Sequence, residues 1–120
     1  MNHCTYSGRL TANPEPYYTP TGKLKVSFTL AVKRSYVGKD GKRMADFVNV
    51  AVWGNRGDAC LKNLIQGQFA TVEGEEHDEG YTNKDGRKIK FKVLVADNVE
   101  FGPKPKNAAK PADTAAPVNK

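Results

Sequence analysis

The stretch Asp46-Phe47-Val48-Asn49-Val50-Ala51-Val52-Trp53-Gly54 determines how the rest of the chain is interpreted. Its residue types alternate with period two, which predicts a β-strand. One face carries the three valines, and the other carries Phe47 and Trp53 with Asn49 and Ala51 between them. Two large aromatic rings on the non-core side favour a surface on which flat ligands stack. Burial of both faces is the alternative that this stretch leaves open.

The composition predicts one small domain with a basic surface. The 120 residues carry a formal net charge of +6 and a sequence pI of about 9.4, which favours a polyanionic partner such as a nucleic acid. No apolar run is long enough to span a bilayer, and residues 1–10 lack the apolar segment of a secretory signal. We therefore expect no membrane attachment and a cytoplasmic location. Cys4 and Cys60 lie far apart and outside any C-x-x-C pattern, so we expect no disulfide, metal or cofactor.

Strand patterns recur on both sides of the opening stretch. Residues 24–32 show the strictest alternation, with apolar side chains on one face and mainly lysine, serine and threonine on the other. This predicts a half-buried antiparallel strand. Residues 5–10 predict a first strand, residues 68–76 a short strand, and residues 81–101 a long hairpin arm.

Turns and one helix separate these strands. Prolines and glycines in residues 11–22 exclude a helix or an inner strand there. Asp40-Gly41 and Asp85-Gly86 predict two hairpin turns. Residues 55–67 predict the one helix, capped by its first residue and ending at a glycine. The acidic run at residues 75–79 is interpreted as a solvated turn region.

The element order predicts an all-β fold. Three strands, one short helix and two further strands follow in the order of the OB-fold, a five-stranded Greek-key barrel that binds oligonucleotides on one face. We place this domain at residues 1–101. Residues 102–120 are rich in Pro, Lys and Ala without periodicity, which predicts a disordered basic tail.

Aromatic residues interleaved with basic ones indicate binding of single-stranded nucleic acid. Flat rings stack unpaired bases, and Lys or Arg neutralise phosphates with release of counterions. Duplex DNA hides the faces of its bases, so such a surface selects single strands. The candidate stacking residues are Tyr36, Phe47, Trp53 and Tyr81. The candidate phosphate contacts are Lys33, Arg34, Lys42, Arg43, Lys84, Arg87, Lys88, Lys90 and Lys92.

Six segments in order give the chain a resemblance to a known family, the single-stranded DNA-binding proteins of bacteria, their phages and plasmids. They cover residues 1–101, and their ordered combination is more specific than any one of them. The segments are Gly8-Arg9-Leu10, Tyr18-Thr19-Pro20-Thr21-Gly22, Phe28-Thr29-Leu30-Ala31-Val32, Asp46-Phe47 through Val52-Trp53-Gly54, Val72-Glu73-Gly74 and Asp97-Asn98-Val99-Glu100-Phe101.

The resemblance implies an OB-fold that assembles as a homo-oligomer, usually a tetramer, and wraps single-stranded DNA during replication, recombination or repair. It implies stacking at the same four aromatic positions and a dimer contact at residues 5–10. Tyr36 requires a bulge, because strict alternation would turn it toward the core. Cellular members also end in an acidic tip that recruits replication and repair enzymes, whereas this sequence ends Pro117-Val118-Asn119-Lys120.

Two other functions remain open at this point. An OB-fold adaptor of primosome type would bind protein partners first and DNA weakly, and an RNA-binding module would use the same stacking surface. An enzyme is the class with least support, because the sequence has no P-loop and no nucleophile paired with a base. Neither His3 nor His77 is placed as a convincing general base.

Overall fold

The computed structural model describes residues 1–39, 41 and 43–105, with Arg43 described through its backbone only. In these residues, six β-strands and one helix are formed, which agrees with the predicted all-β fold. The elements are β1 (Cys4–Leu10), β2 (Glu15–Tyr18), β3 (Leu24–Val37), β4 (Arg43–Trp53), α1 (Gly54–Asn63), β5 (Phe69–Thr82) and β6 (Lys88–Phe101).

Five of these strands close into a barrel. The order across the sheet is β1-β5-β6-β4-β3, and β1 returns to pair with β3 where Arg9 lies opposite Ala31. β4 and β6 are parallel, with Val50 opposite Leu94, and β2 is added on the free edge of β3. A five-stranded barrel with α1 between its third and fourth strands is the OB-fold. The predicted fold is therefore confirmed.

The valine face of β4 fills the barrel. Val48, Val50 and Val52 are all buried in one cluster that also contains Cys60 of α1. Cys60 is fully inaccessible to solvent, and this burial raises the pKa of its thiol to about 11, because a thiolate is costly to form away from water. The helix thus covers one part of the core that the strands enclose.

Gly57 allows α1 to lie directly against the barrel. A Cβ at this position would lie 2.6 Å from the carbonyl oxygen of Val52 and 2.9 Å from Cγ2 of Val26. Real Cβ atoms do not approach other atoms so closely, so only glycine permits this contact. The helix begins at Gly54, immediately after β4, so Trp53 lies at the junction of strand and helix.

The predicted helix boundaries were wrong at both ends. Trp53, rather than Asn55, is the N-cap residue, and it makes no side-chain capping bond. The helix ends at Asn63, four residues before the predicted end, because Leu64 is extended and its side chain enters the core. Gly67 instead has a φ of +84° in the following turn, where its N–H donates to the carbonyl of Leu10.

Residues 11–22 contain a short strand that the sequence did not predict. The four residues of β2 pair antiparallel with β3, with Pro16 opposite Val26. β2 is an edge strand, where a proline is tolerated because one row of its backbone groups has no partner strand. The exclusion of an inner strand from this segment is confirmed.

The acidic run is part of a strand rather than a turn. β5 extends to Thr82, beyond the predicted end at residue 76, and pairs with β6 from Glu75 opposite Val95 to Thr82 opposite Lys88. Lys92 lies opposite Asp78, with Nζ 3.0 Å from Oδ1. Opposite charges across the pair offset the repulsion between neighbouring carboxylates, so a sequence of acids remains compatible with a strand.

The predicted tail begins where β6 ends. Of the described residues 102–105, Gly102 is held at the start of β5: the Gln68 side-chain amide donates to the carbonyl of Gly102, and the Gly102 N–H donates to the carbonyl of Phe69. The rest of the predicted tail, residues 106–120, lies outside the described residues.

Candidate nucleic-acid interface

Phe47 and Trp53 both point away from the barrel core. Their side chains are 69% and 41% exposed, although the valines between them are buried. We call this outward side of β2, β3, β4, β5 and β6 the aromatic face. The alternative in which both faces of β4 are buried does not hold in this structure.

Each of these two rings has a lysine on the neighbouring strand. Lys25 lies opposite Trp53, with its Nζ 5.8 Å from the ring centroid, a distance at which cation–π attraction operates. Ala31 lies opposite Phe47, and Lys33 follows two residues later on the same side of β3. The sequence patterns predicted Lys33 as a phosphate contact but did not identify Lys25, because the cross-strand register determines which lysine lies beside which ring.

A groove with a volume of about 340 Å³ lies on the aromatic face between these rings. Thr29 and Asn49 lie on its floor as cross-strand partners, and the Thr29 hydroxyl donates to Asn49 Oδ1 at 3.3 Å. The Asn49 amide in turn donates to the carbonyl of Lys92 at 3.3 Å. Asn49 therefore joins β3, β4 and β6 across the groove and fixes its shape.

The lining of the groove carries more negative than positive charge. Glu15 of β2 and Glu79 of β5 are exposed and line it, and Lys25 is the single cation among the described residues of the lining. Two carboxylates repel phosphate groups, whereas a polar and partly apolar floor accepts bases. The groove therefore suits bases, and phosphates are better placed near the lysines at its ends.

Phe91 is a site residue that the sequence reasoning missed. It alternates with lysines in β6, a pattern typical of a core residue, yet it is 36% exposed and lines the groove. Tyr81 of β5 is 58% exposed, and its ring centroid lies 6.2 Å from that of Phe91, with the rings tilted by 57°. This distance lies within the range of favourable aromatic pairs. Tyr81 is thus connected to the groove through Phe91.

Tyr36 lies in a separate cluster. The Arg34 guanidinium donates to the Tyr36 hydroxyl at 2.8 Å and to the carboxylate of Asp46 at 2.8 Å. The pairing of β3 with β4 is irregular between Lys33 and Val37, as the predicted bulge requires. However, Asp46 belongs to the valine side of β4, so these contacts hold Tyr36 on the opposite side of β4 from Phe47.

The ion pair in this cluster shifts the pKa values of both of its members. Hydrogen bonding to Arg34 lowers the pKa of Asp46, and hydrogen bonding to Asp46 raises the pKa of Arg34. Both groups are therefore charged at neutral pH. Arg34 already has a carboxylate partner, so its charge is less available to a phosphate than that of Lys33.

The lysines of β6 lie on the opposite face of that strand from Phe91. Lys88, Lys90 and Lys92 alternate with the residues of the aromatic face. Lys92 is bound to Asp78, and this hydrogen bond raises the pKa of the ammonium group. The lysine row therefore borders the β5–β6 hairpin and does not line the groove.

Two of the remaining basic candidates lie in the β5–β6 turn. Lys84 and Arg87 are exposed in the β5–β6 turn, where the side chain of Asn83 accepts the N–H of Arg87 at 2.9 Å. Lys42 and the side chain of Arg43 lie outside the described residues. The structure thus places Phe47, Trp53, Tyr81 and Lys33 on the aromatic face, and it places Tyr36, Arg34 and the lysine row elsewhere.

Metal ligands and membrane-spanning helices are two further features to consider in the described residues. No three His, Cys, Asp or Glu side chains among residues 1–39, 41 and 43–105 are grouped so that they could hold a metal ion. Within the same residues, no helix combines the length and apolar character needed to cross a membrane.

Comparison with known proteins places the whole barrel in one family. Residues 1–102 match the model of the family described as "Single-strand binding protein family". The chain is 37% identical over 101 residues to "Single-stranded DNA-binding protein 2" of Listeria monocytogenes, covering 84% of this chain and 63% of the relative. It is 37% identical to the "Single-stranded DNA-binding protein" of Halalkalibacterium halodurans, with 84% and 60% covered.

A third relative is covered more fully. "Single-stranded DNA-binding protein 2" of Staphylococcus aureus is 39% identical over 101 residues, with 84% of this chain and 73% of the relative aligned. The match thus spans about three fifths of the first two relatives and about three quarters of the third. With the barrel matched from end to end, the chain belongs to the single-strand binding protein family.

Proposed function

We propose that this chain binds single-stranded DNA, independently of sequence, along the aromatic face. The observation that carries the proposal is the pair of exposed rings, Phe47 and Trp53, each with a lysine on the adjacent strand and with a groove between them. Names of relatives from three bacteria support it, since each is called a single-stranded DNA-binding protein.

Stacking on the rings supplies the preference for single strands. Each base stacked on an aromatic side chain contributes about 1–3 kcal/mol, and every base has a flat face to offer. Bases in a duplex are already stacked and paired, so they cannot reach Phe47 or Trp53. Tyr81 and Phe91 extend the same surface toward the β5–β6 hairpin.

Lysines supply the part of the affinity that depends on salt. Lys25 and Lys33 lie beside the rings, and Lys84, Arg87, Lys88 and Lys90 are exposed along the β5–β6 hairpin. Each phosphate that they neutralise releases counterions from the DNA. We therefore expect the affinity to fall as the salt concentration rises.

The single tryptophan provides the test. Titration with oligo-dT should quench the fluorescence of Trp53, because a base stacked on the indole changes its surroundings. Duplex DNA of the same length should compete weakly. Absence of quenching, or equal affinity for duplex, would refute the proposal, and equal affinity for oligo-U would extend the ligand class to RNA.

Trp53→Ala gives a second test with a labelled oligo-dT. We expect about 5- to 150-fold weaker binding, the equivalent of one stacked base, with an unchanged circular dichroism spectrum. Trp53→Phe should retain most of the affinity because it keeps a flat ring. Unfolding of the alanine variant would show that Trp53 serves the fold instead.

Assembly and cellular role are part of the same proposal. β1 pairs with β5 along Cys4 to Arg9, but with β3 only at Arg9 and Leu10, so most of its second edge has no partner among the described residues. We propose a homo-oligomer, a tetramer built from dimers that join at β1, acting in the cytoplasm in replication, recombination or repair without catalysing a reaction. Light scattering with and without oligo-dT tests the oligomeric state. Micromolar affinity for DNA, combined with tight binding of a protein partner, would instead favour the OB-fold adaptor of primosome type.

A further inference from the structure

We propose that the DNA path continues past Trp53, across Lys25, to a further stacking position at Tyr17 on β2. This inference rests on the proposed function and adds to it a binding residue on the edge strand. Tyr17 belongs to β2, which lies between the first two strands of the barrel, β1 and β3.

The strand register places three side chains in one row. Tyr17 of β2 is the cross-strand partner of Lys25, and Lys25 of β3 is the partner of Trp53 of β4. Directly opposite residues point to the same side of a sheet. The row therefore reads aromatic, cation, aromatic across three adjacent strands of the aromatic face. At the usual strand spacing the two outer residues are about 10 Å apart.

Exposure and bonding leave Tyr17 free for a ligand. Its side chain is 58% exposed, and its hydroxyl makes no hydrogen bond with another residue of the described part of the chain. A ring on the edge strand with so little contact contributes little to the core. Its position beside a lysine suits a base stacked on the ring and a phosphate held by the ammonium group.

The groove reaches the same strand. Glu15 lies two residues before Tyr17 on the same side of β2 and lines the groove together with Lys25. The wall of the groove is therefore continuous with the row that ends at Tyr17. A strand of DNA whose bases occupy the groove passes Lys25 when it leaves at this end.

Tyr18 supplies a matched control from the next position in the chain. It is 64% exposed and pairs with Leu24, which packs against the core. Alternation along β2 therefore turns it to the side opposite Tyr17. The two tyrosines have the same chemistry and nearly the same exposure, and they differ in the face that they occupy.

The test compares Tyr17→Ala with Tyr18→Ala, using labelled oligo-dT of increasing length. We expect Tyr17→Ala to bind long oligonucleotides at least about 5-fold more weakly, the loss of one stacked base. It should match the unmodified chain on oligonucleotides too short to pass Trp53. Tyr18→Ala should match the unmodified chain at every length, and both variants should still show quenching of Trp53.

Further variants separate stacking from a structural effect. Tyr17→Phe should restore binding, and Tyr17→Leu, which keeps apolar bulk on β2, should not. Equal affinities of Tyr17→Ala and Tyr18→Ala for long oligonucleotides, or normal binding by Tyr17→Leu, would overturn the inference while leaving the proposed function in place. Failure of the unmodified chain to bind oligo-dT would instead refute the proposed function itself.

Discussion

Glu79 has the opposite charge from the one expected on a DNA-binding face. It lies directly across from Phe91 on the β5–β6 hairpin and lines the groove. It forms no ion pair with another described residue. A free carboxylate at this position repels a phosphate, so we infer that the DNA backbone stays away from Glu79 and that bases face the groove there.

Glu79→Gln should therefore strengthen binding of oligo-dT. Exposed charges interact by about 0.2–1 kcal/mol, so we expect a gain of up to about 5-fold at low salt and a smaller gain at high salt. Glu100→Gln is the control, because it changes the net charge equally at an exposed position opposite Thr71. Equal gains from both variants would mean that only the overall charge matters.

The β3–β4 hairpin contains two neighbouring cations in different states. Arg34 is bound to Asp46 at 2.8 Å, whereas Lys33 is exposed beside Phe47 and makes no ion pair with another described residue. Because Arg34 lowers the pKa of Asp46, the pair is lost only when acid protonates the carboxylate below the usual range of aspartate. At neutral pH the two cations should therefore contribute differently to DNA binding.

We expect this difference to appear in the dependence of affinity on salt. For single strands, each phosphate contact contributes about 0.7 to the slope of log K against log salt concentration. Lys33→Ala should reduce the slope by about that amount, and Arg34→Ala should reduce it by less. The measurement is the affinity of each variant for oligo-dT over a range of NaCl concentrations. A larger reduction in slope for Arg34→Ala than for Lys33→Ala would show that DNA displaces Asp46 from Arg34.

Period-two patterns predicted individual β-strands well, but they could not predict which side chains become neighbours in the sheet. The alternation in β4 correctly separated the buried valines from Phe47 and Trp53. Lys25 and Phe91 were missed because their roles depend on the register between strands distant in sequence. The acidic run was assigned to a turn because its partner strand, including Lys92 opposite Asp78, follows only after the hairpin turn.

At the scale of the whole molecule, the barrel core and the DNA-binding face belong to the same strands. Alternate residues of β4 fill the barrel and form the aromatic face, and α1 follows immediately after Trp53. DNA bound across β3, β4 and β6 should therefore hold together the strands that enclose the core. By linkage, a ligand that binds only the folded chain lowers the population of the open state.

The buried thiol of Cys60 turns this coupling into a kinetic measurement. With no exposed surface and a pKa of about 11, it should react with a thiol reagent only when the barrel opens, and Cys4→Ser would remove the competing cysteine. At a free oligo-dT concentration 100 times Kd, linkage stabilises the folded state by about 2.7 kcal/mol, so modification should slow by about 100-fold. An unchanged rate at saturating oligo-dT would mean that α1 opens locally, independently of the DNA-binding face. Because this rate of Cys60 modification does not depend on tryptophan fluorescence, it also measures DNA binding by the Trp53→Ala variant.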